Sequence, residues 1–362
     1  MRIGIDAREL CGSPTGVGRH LSGLLGAWRT SQKAKAHSFV LYAPSEVAAQ
    51  GPSDSSVDVR VVPGSGGTRW EQLSLARAAR RDRLDAFFAP GYSAPLSLAT
   101  PTVLLVHDIS FVTHPEWFRS REGLRRRLLT RWSASKATTV LTVSESARAE
   151  IVTQFGLSSS SVRCIYPGVT VLHTSAAAET ASEREPLVLF AGSIFNRRRL
   201  PDLIHAFKPV ARSRPDTRLE IVGDNRTYPH QDLAAVVAAE ELQQQIRIQS
   251  YVPDAALAGL YRRARAFAFL SEYEGFGHPP LEALQSGVPP VLLDTPVARE
   301  VCGDAALYVK TGDIDAVTSA LTSLLFDEAI RARVLAAAPA VLARYSWTKA
   351  ADQTLEVIEC ST

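Results

Sequence analysis

No run of about 18 consecutive apolar residues occurs anywhere in this 362-residue chain, so no segment is suited to cross a bilayer as a helix. Behind Met1, the stretch Arg2-Ile-Gly-Ile-Asp6 lacks the long apolar core of a signal peptide, and none is expected. Cysteine is scarce. Cys11, Cys164, Cys302 and Cys360 lie far apart, with no Cys-x-x-Cys pair, which argues for reduced cytosolic thiols rather than a disulfide or zinc framework. No short-period repeat is visible. With 46% hydrophobic and 21% charged residues, the composition excludes disorder, collagen-like structure and coiled coil.

At roughly 150 residues per domain, the length suggests two domains. The net charge of +3 conceals an asymmetry. Residues 1–175 carry 21 Lys/Arg against 13 Asp/Glu, a balance of +8, whereas residues 176–362 carry 19 against 24, a balance of −5. The basic first half points to an anionic partner there. No nucleic-acid partner is expected.

Short runs rich in Val, Ile, Leu and Phe, bounded by Gly, Pro, Ser or Asp, read as strands at Arg2–Asp6, Ser38–Tyr42, Val57–Val62, Leu84–Ala89, Thr102–Asp108, Thr138–Val143 and Val162–Tyr166. Helical patterns fall at Gly18–Thr30, Glu71–Arg81, Arg119–Lys136 and Ser146–Phe155. The polar stretch 173–186 reads as a linker. Beyond it, strands are expected at Leu187–Ala191, Leu219–Val222, Ile246–Gln249, Ala266–Leu270, Val288–Leu293 and Leu307–Val309. Helices are expected at Leu200–Ser213, Gln231–Leu242, Asp254–Ala264, Pro280–Ser286, Asp313–Leu325, Glu328–Arg344 and Thr348–Glu359. Such alternation predicts an α/β protein of two doubly wound parallel-sheet domains, 1–172 and 187–345, with a closing helix in 346–362. Its default site is the cleft between them.

The most informative stretch is Ser271-Glu-Tyr-Glu274-Gly275-Phe276-Gly277-His278-Pro279-Pro280-Leu-Glu282-Ala283. It follows a strand, passes through two glycines and enters a helix with proline in its first turn. Backbone N–H groups at a glycine-opened helix start suit an anion. Glu274 and Glu282, eight residues apart, could flank a diphosphate and accept hydroxyl hydrogen bonds on either side, the order of groups in a nucleotide sugar. Two glutamates that merely cap and face solvent are the bland alternative.

This stretch resembles the Glu-x7-Glu signature of the family 4 retaining glycosyltransferases of GT-B fold. The likeness runs almost end to end, through Thr15-Gly-Val-Gly-Arg19, Val106-His107-Asp108, Pro167-Gly168-Val169, Ala191-Gly192-Ser193, Arg197–Leu200, Tyr251-Val252-Pro-Asp254 and Tyr345-Ser-Trp347. The resemblance implies that Glu274 contacts the donor sugar and Glu282 the ribose. The Gly275-Phe276-Gly277 backbone would meet the diphosphate or sugar, and Gly192 and Val252 would border the donor. Where the family shows Arg-Lys-Asn, this chain has Arg197-Arg198-Arg199; Arg197 and Arg198 are expected to grip the diphosphate and offset charge on the leaving group. The resemblance places His107 near the transferred sugar, and Gly16, Gly18 and Arg19 beside the acceptor and diphosphate. As a dinucleotide fingerprint Gly16-Val-Gly18 is poor, because the third glycine is missing.

Asp313-Ile-Asp315 resembles a metal-binding Asp-x-Asp, but its place before Ala316-Val317 makes Asp313 a helix N-cap. No metal and no cofactor are expected. A glycoside hydrolase would also need two carboxylates, but has no use for a phosphate loop between them. The activity so implied is transfer of a hexose from a nucleotide sugar to a glycan or lipid-linked acceptor. GDP-mannose is the favoured donor; a UDP-sugar enzyme and a non-catalytic sugar-nucleotide-binding module are the alternatives. The basic, aromatic stretch Arg119–Arg131 suggests contact with an anionic membrane surface, and hence a cytoplasmic protein peripheral to the inner face of the plasma membrane.

Overall fold

The structure, a computed structural model, describes residues 1–12, 16–47, 57–169 and 184–362. Two compact units divide the chain: Met1–Gly168 with Tyr345–Thr362, and Val169–Arg344. Most of the expected linker, 173–186, lies outside the described residues, as does Thr15 of the first glycine motif.

The first unit is built on β1 (Arg2–Asp6), β2 (Ser38–Ala43), β3 (Val57–Val61), β4 (Ala86–Ala89), β5 (Thr102–Leu105), β6 (Thr139–Thr142) and β7 (Val162–Cys164). They form a parallel sheet in the order β3-β2-β1-β4-β5-β6-β7. The central strands are apolar on both faces because helices cover both, and all of β4 is buried. The edge strand β3 instead carries Asp58 and Arg60, charges that discourage pairing with another chain.

Five helices accompany this sheet: α1 (Gly16–Trp28), α2 (Ala76–Arg81), α3 (Ser110–Thr113), α4 (Ser120–Lys136) and α5 (Glu145–Phe155). Along α1, Leu21, Leu24, Leu25 and Trp28 recur at helical spacing and are fully buried. Burial of each aliphatic side chain contributes roughly 1.5–3 kcal/mol. The helical pattern expected from Glu71 opens as a π-helix over Trp70–Leu75 before continuing as α2.

The second unit repeats the plan with β8 (Leu187–Ala191), β9 (Arg218–Val222), β10 (Ile246–Gln249), β11 (Ala266–Phe269), β12 (Pro290–Leu293) and β13 (Leu307–Val309). The parallel order is β10-β9-β8-β11-β12-β13, in a register that sets Val188 beside both Leu219 and Ala266. Its helices are α6 (Leu200–Ser213), α7 (Leu233–Ala239), α8 (Asp254–Arg263), α9 (His278–Gln285), α10 (Pro296–Cys302), α11 (Ile314–Phe326) and α12 (Glu328–Leu342). Asp313 caps α11, its Oδ1 accepting from Ala316 N at 2.9 Å.

The last helix, α13 (Trp347–Cys360), belongs to the first unit. It packs on α1, where Trp28 Nε1 donates to Ala351 O at 3.0 Å. A side chain at Gly23 would fall 2.5 Å from Trp347 Cε2, so glycine makes room for that ring.

All thirteen expected strands are present. The expectation missed α3 and α10, whose four and seven residues carry little periodic pattern; α10 is marked by Thr295, capping Ala298 N at 3.2 Å, and by Pro296 in its first turn. The strand expected to reach Asp108 ends at Leu105, with its carboxyl edge opening into the loop that holds His107. In each sheet the chain reverses direction across the order once, between β1 and β4 and between β8 and β11. Ligands of open parallel sheets bind outside the strand ends at such reversals. No helix among the described residues is long and apolar enough to cross a membrane.

Candidate active site

In the second unit, the loops leaving the neighbouring strands β8 and β11 meet at the reversal. After β8 the chain passes Gly192 and Ser193, makes a short 3-10 turn over Asn196–Arg198 and enters α6 through Arg199, whose φ is +48°. The turn aims Arg198 inward, where it is only 8% exposed. Its Nε donates to Glu274 Oε1 at 3.0 Å and its Nη1 to Ser193 O at 2.5 Å. The guanidinium lies 4.6 Å from the centre of the Phe269 ring, and Arg197 covers Phe195 at 4.5 Å.

Glycine permits this packing. A Cβ on Gly192, at φ +133°, would stand 2.7 Å from Arg198 Nη1, and one on Gly223 would collide with Gly192 O.

Glu274 is the counterpart in the loop after β11. Ser271 Oγ donates to the same Oε1 at 2.8 Å. Burial pushes the Glu274 carboxyl up, but the positive charges of Arg198 and Arg197, with hydrogen bonds from Arg198 and Ser271, hold it below the ordinary value. Burial lowers Arg198 against the pull of Glu274, and it stays charged at neutral pH. Beside the pair lies a pocket lined by Glu274, Phe276, Pro280, Thr295, Val301 and Cys302, among others.

The remaining donor-side candidates are distributed around this pair. Gly275 and Phe276 are buried in the loop, and Gly277 (φ +102°) turns the chain into α9. Pro279 and Pro280 remove two N–H groups from its first turn, so anion donors there reduce to the loop and to His278 and Leu281. Glu282 sits within α9, half-buried, accepting from Tyr261 OH at 3.3 Å. Val252 follows β10, two strands from β8 in the sheet order. Arg199 turns away to Asp202 (2.6 Å) and Glu272 (2.8 Å), fastening the two loops to each other.

In the first unit, the corresponding strand ends hold His107. Its Nε2 lies 3.0 Å from Pro90 O, a carbonyl that can only accept, so Nε2 carries the proton and Nδ1 is left basic. Burial pushes its pKa down, against smaller opposing effects of Pro90 and Asp108, so the ring is neutral at pH 7. His20 and Tyr92 flank it at 5.2 and 5.6 Å between ring centres. Asp108 accepts from Tyr92 OH (2.9 Å) and Ser110 Oγ (2.6 Å), pinning the loop after β4. That loop is anchored again by Ser93 Oγ, 2.7 Å from the fully buried Glu71, which also takes a hydrogen bond from Arg8. Arg8 is shared with Asp6 at the end of β1. Gly16 and Arg19 are exposed in the first turn of α1, and Gly18 is buried.

Sequence reasoning missed Ser271 and the Asp6–Arg8–Glu71 network. Ser271 had a signal, as the one hydroxyl between the apolar β11 and the acidic loop. The network had almost none, since its members are 63 residues apart in sequence at Arg8 and Glu71. Among the described residues, no three His, Cys, Asp or Glu side chains gather so as to hold a metal ion.

Comparison with known proteins agrees with this architecture. Residues 14–171 match the model of "Glycosyltransferase Family 4", and residues 174–341 that of "Glycosyl transferases group 1". The O-antigen chain mannosyltransferase B of Escherichia coli is 29% identical over 298 residues, 76% of this chain and 75% of that protein. O-antigen chain mannosyltransferase RfbU of Salmonella typhimurium is 28% identical over 61% of this chain and 60% of its own length. Among solved structures, sucrose-phosphate synthase from Thermosynechococcus elongatus superposes with a TM-score of 0.78 at 15% identity, over 99% of this chain and 98% of that one. WaaG, a glycosyltransferase of lipopolysaccharide biosynthesis, gives 0.77 at 15% identity, over 99% of each chain. With two parallel-sheet units, two matched models and these relatives, the chain belongs to the group 1, family 4 glycosyltransferases and is a glycosyltransferase of GT-B fold.

Proposed function

We propose that the protein transfers a hexose, mannose from GDP-mannose, to a glycan or lipid-linked acceptor, with retention of configuration and without a metal. The observation that carries this reading is the ionised Arg198–Glu274 pair at the reversal of the second sheet. A preorganised cation there, with Arg197 beside it, opposes the charge that develops on a departing diphosphate. The pair also offers a carboxylate to a sugar hydroxyl. In this reading Glu282 holds the ribose, the Gly275–Gly277 backbone meets the diphosphate or sugar, and Gly192 and Val252 border the donor. His107, neutral with Nδ1 free of its proton, positions the transferred sugar, and Gly16, Gly18 and Arg19 border the acceptor.

The mannose donor is supported by the names of the relatives, one of them a GDP-mannose:cellobiosyl-diphosphopolyprenol alpha-mannosyltransferase of Xanthomonas oryzae pv. oryzae, 26% identical over 68% of this chain. A UDP-sugar is the second reading, favoured by the Anabaena Alr3699/HepE structure in complex with UDP-glucose, which shares the fold at a TM-score of 0.75 and 16% identity. The test is incubation with GDP-mannose in chelator, followed by proton NMR of the sugar released to water. Early release of α-mannose supports a retaining, metal-independent enzyme. Early β-mannose overturns retention, and absence of any release from GDP-mannose or UDP-glucose argues for a module that binds without turnover.

A cytoplasmic station on an anionic membrane face is part of this reading. On α4, Leu124, Leu128 and Trp132 are exposed at i, i+4 and i+8, with Arg121, Arg125, Arg127 and Arg131 exposed alongside. An apolar stripe flanked by arginines suits the headgroup region of an anionic bilayer.

A further inference from the structure

The two oxygens of Glu274 are not equivalent. Arg198 Nε (3.0 Å) and Ser271 Oγ (2.8 Å) both donate to Oε1, whereas Oε2 accepts from no side chain or backbone group among the described residues. The donors come from different loops, one after β8 and one after β11, and each is held by its own surroundings. Arg198 is fixed by Ser193 O and by the Phe269 ring; Ser271 is 7% exposed and stands two residues beyond the end of β11. The Ser271 hydroxyl has one proton, and the carboxylate at 2.8 Å is a stronger acceptor than Tyr273 O at 3.2 Å.

A carboxylate with one anchor can rotate, because its terminal torsion is broad and two-fold. With two anchors on one oxygen it cannot exchange Oε1 for Oε2 without breaking both bonds.

We propose that Ser271 and Arg198 are positioning residues that claim Oε1 of Glu274 and so dedicate Oε2 to a hydroxyl of the donor's sugar. This rests on the reading that Glu274 meets that sugar. It also gives the departure Arg-Arg-Arg a chemical sense. A lysine ammonium carries its three donors on one nitrogen, whereas the arginine fork bonds Glu274 through Nε and Ser193 through Nη1 and presents Nη2 as a third, separate donor atom. Ser271 thus acts on affinity for the sugar and not on affinity for the nucleotide.

The experiment is calorimetric titration with GDP-mannose and with GDP, compared as a ratio, for wild type, Ser271→Ala, Ser271→Thr, Glu274→Ala and the Ser271→Ala/Glu274→Ala pair; UDP-glucose and UDP replace them where UDP binds more tightly. Ser271→Ala is expected to weaken the nucleotide sugar by about tenfold, the worth of one hydrogen bond to a charged group, and to leave the nucleoside diphosphate unchanged. Ser271→Thr, which keeps the hydroxyl, is expected to restore the ratio. In the Glu274→Ala background, loss of the Ser271 hydroxyl is expected to cost nothing further. Equal weakening of sugar nucleotide and nucleoside diphosphate, or an undiminished Ser271→Ala effect without Glu274, would overturn the assignment. Wild-type protein that binds neither pair would overturn the donor reading itself, a result distinct from failure of Ser271 alone.

Discussion

Arg198 and Glu274 join the ends of two adjacent strands that are 75 residues apart in the chain order from Ala191 to Ala266, through one hydrogen-bonded ion pair of 3.0 Å. Both partners are largely withdrawn from water, at 9% and 17% side-chain exposure, so removing one strands the other. Arg198→Ala is therefore expected to destabilise the protein by about 2 kcal/mol, below the full cost of a wholly buried pair because Glu274 keeps some solvent. Arg198→Ala/Glu274→Ala should recover part of that loss. Thermal or urea denaturation of the three variants checks it; a double variant less stable than Arg198→Ala would contradict it.

The same pair has a signature on the acid side. The Glu274 carboxyl is held below the ordinary glutamate value of 4.5, chiefly because Arg198 and Arg197 outweigh its burial. Its contribution to stability is therefore complete above pH 4.5 and is lost as pH falls through the lower, folded value. Glu274→Gln should flatten this part of the stability–pH curve. An unchanged curve would mean that the carboxylate is not held ionised by its neighbours.

His107 titrates in the same sense, at a higher pH. Burial holds its folded pKa below 6.5, so the unfolded chain takes up the proton first, and stability declines as pH falls from 6.5 towards the folded value. His107→Gln, which keeps a donor for Pro90 O, should remove that decline. NMR titration of the imidazole checks it directly; a midpoint above 6.5 would contradict the neutral assignment.

The strands and most helices were legible because both sheets are buried on both faces and therefore read as continuous apolar runs between Gly, Pro and Asp. Glu274 was singled out by the family resemblance of its loop, since the residues alone left capping and solvated roles open. The resemblance separated the three arginines by position, but not by the direction each takes. Nothing in Arg197-Arg198-Arg199 says that a left-handed residue at Arg199 would turn its guanidinium to Asp202 and Glu272 while Arg198 turned inward. Arg8 and Glu71 escaped because their bond depends on the tertiary approach of β1 to the π-helical turn at Trp70, which leaves no local pattern.

The two glutamates of the second unit should separate by function. Glu274→Ala is expected to abolish transfer without weakening nucleoside diphosphate affinity, since it leaves the Arg198 cation in place for the diphosphate. Glu282→Ala is expected to weaken that affinity by about tenfold, the worth of hydrogen bonds from ribose hydroxyls to a carboxylate. Steady-state kinetics and calorimetry on the two variants check this. The assignments are exchanged if Glu274→Ala, and not Glu282→Ala, loses the nucleotide.

Vesicle binding tests the surface of α4. Leu124→Glu and Trp132→Glu are expected to release the protein from vesicles containing phosphatidylglycerol while leaving hydrolysis of the donor in solution unchanged, because both side chains point into solvent. Retention on such vesicles by both variants would remove α4 from the membrane contact.

In the proposed function the second unit is a metal-independent site for one nucleoside diphosphate. Calorimetric titration of the purified protein with GDP, UDP and ADP in chelator tests it most directly. Saturable 1:1 binding of GDP is expected, tighter than UDP or ADP by at least about tenfold, and lost in Arg197→Ala. No saturable binding of any of the three would contradict it.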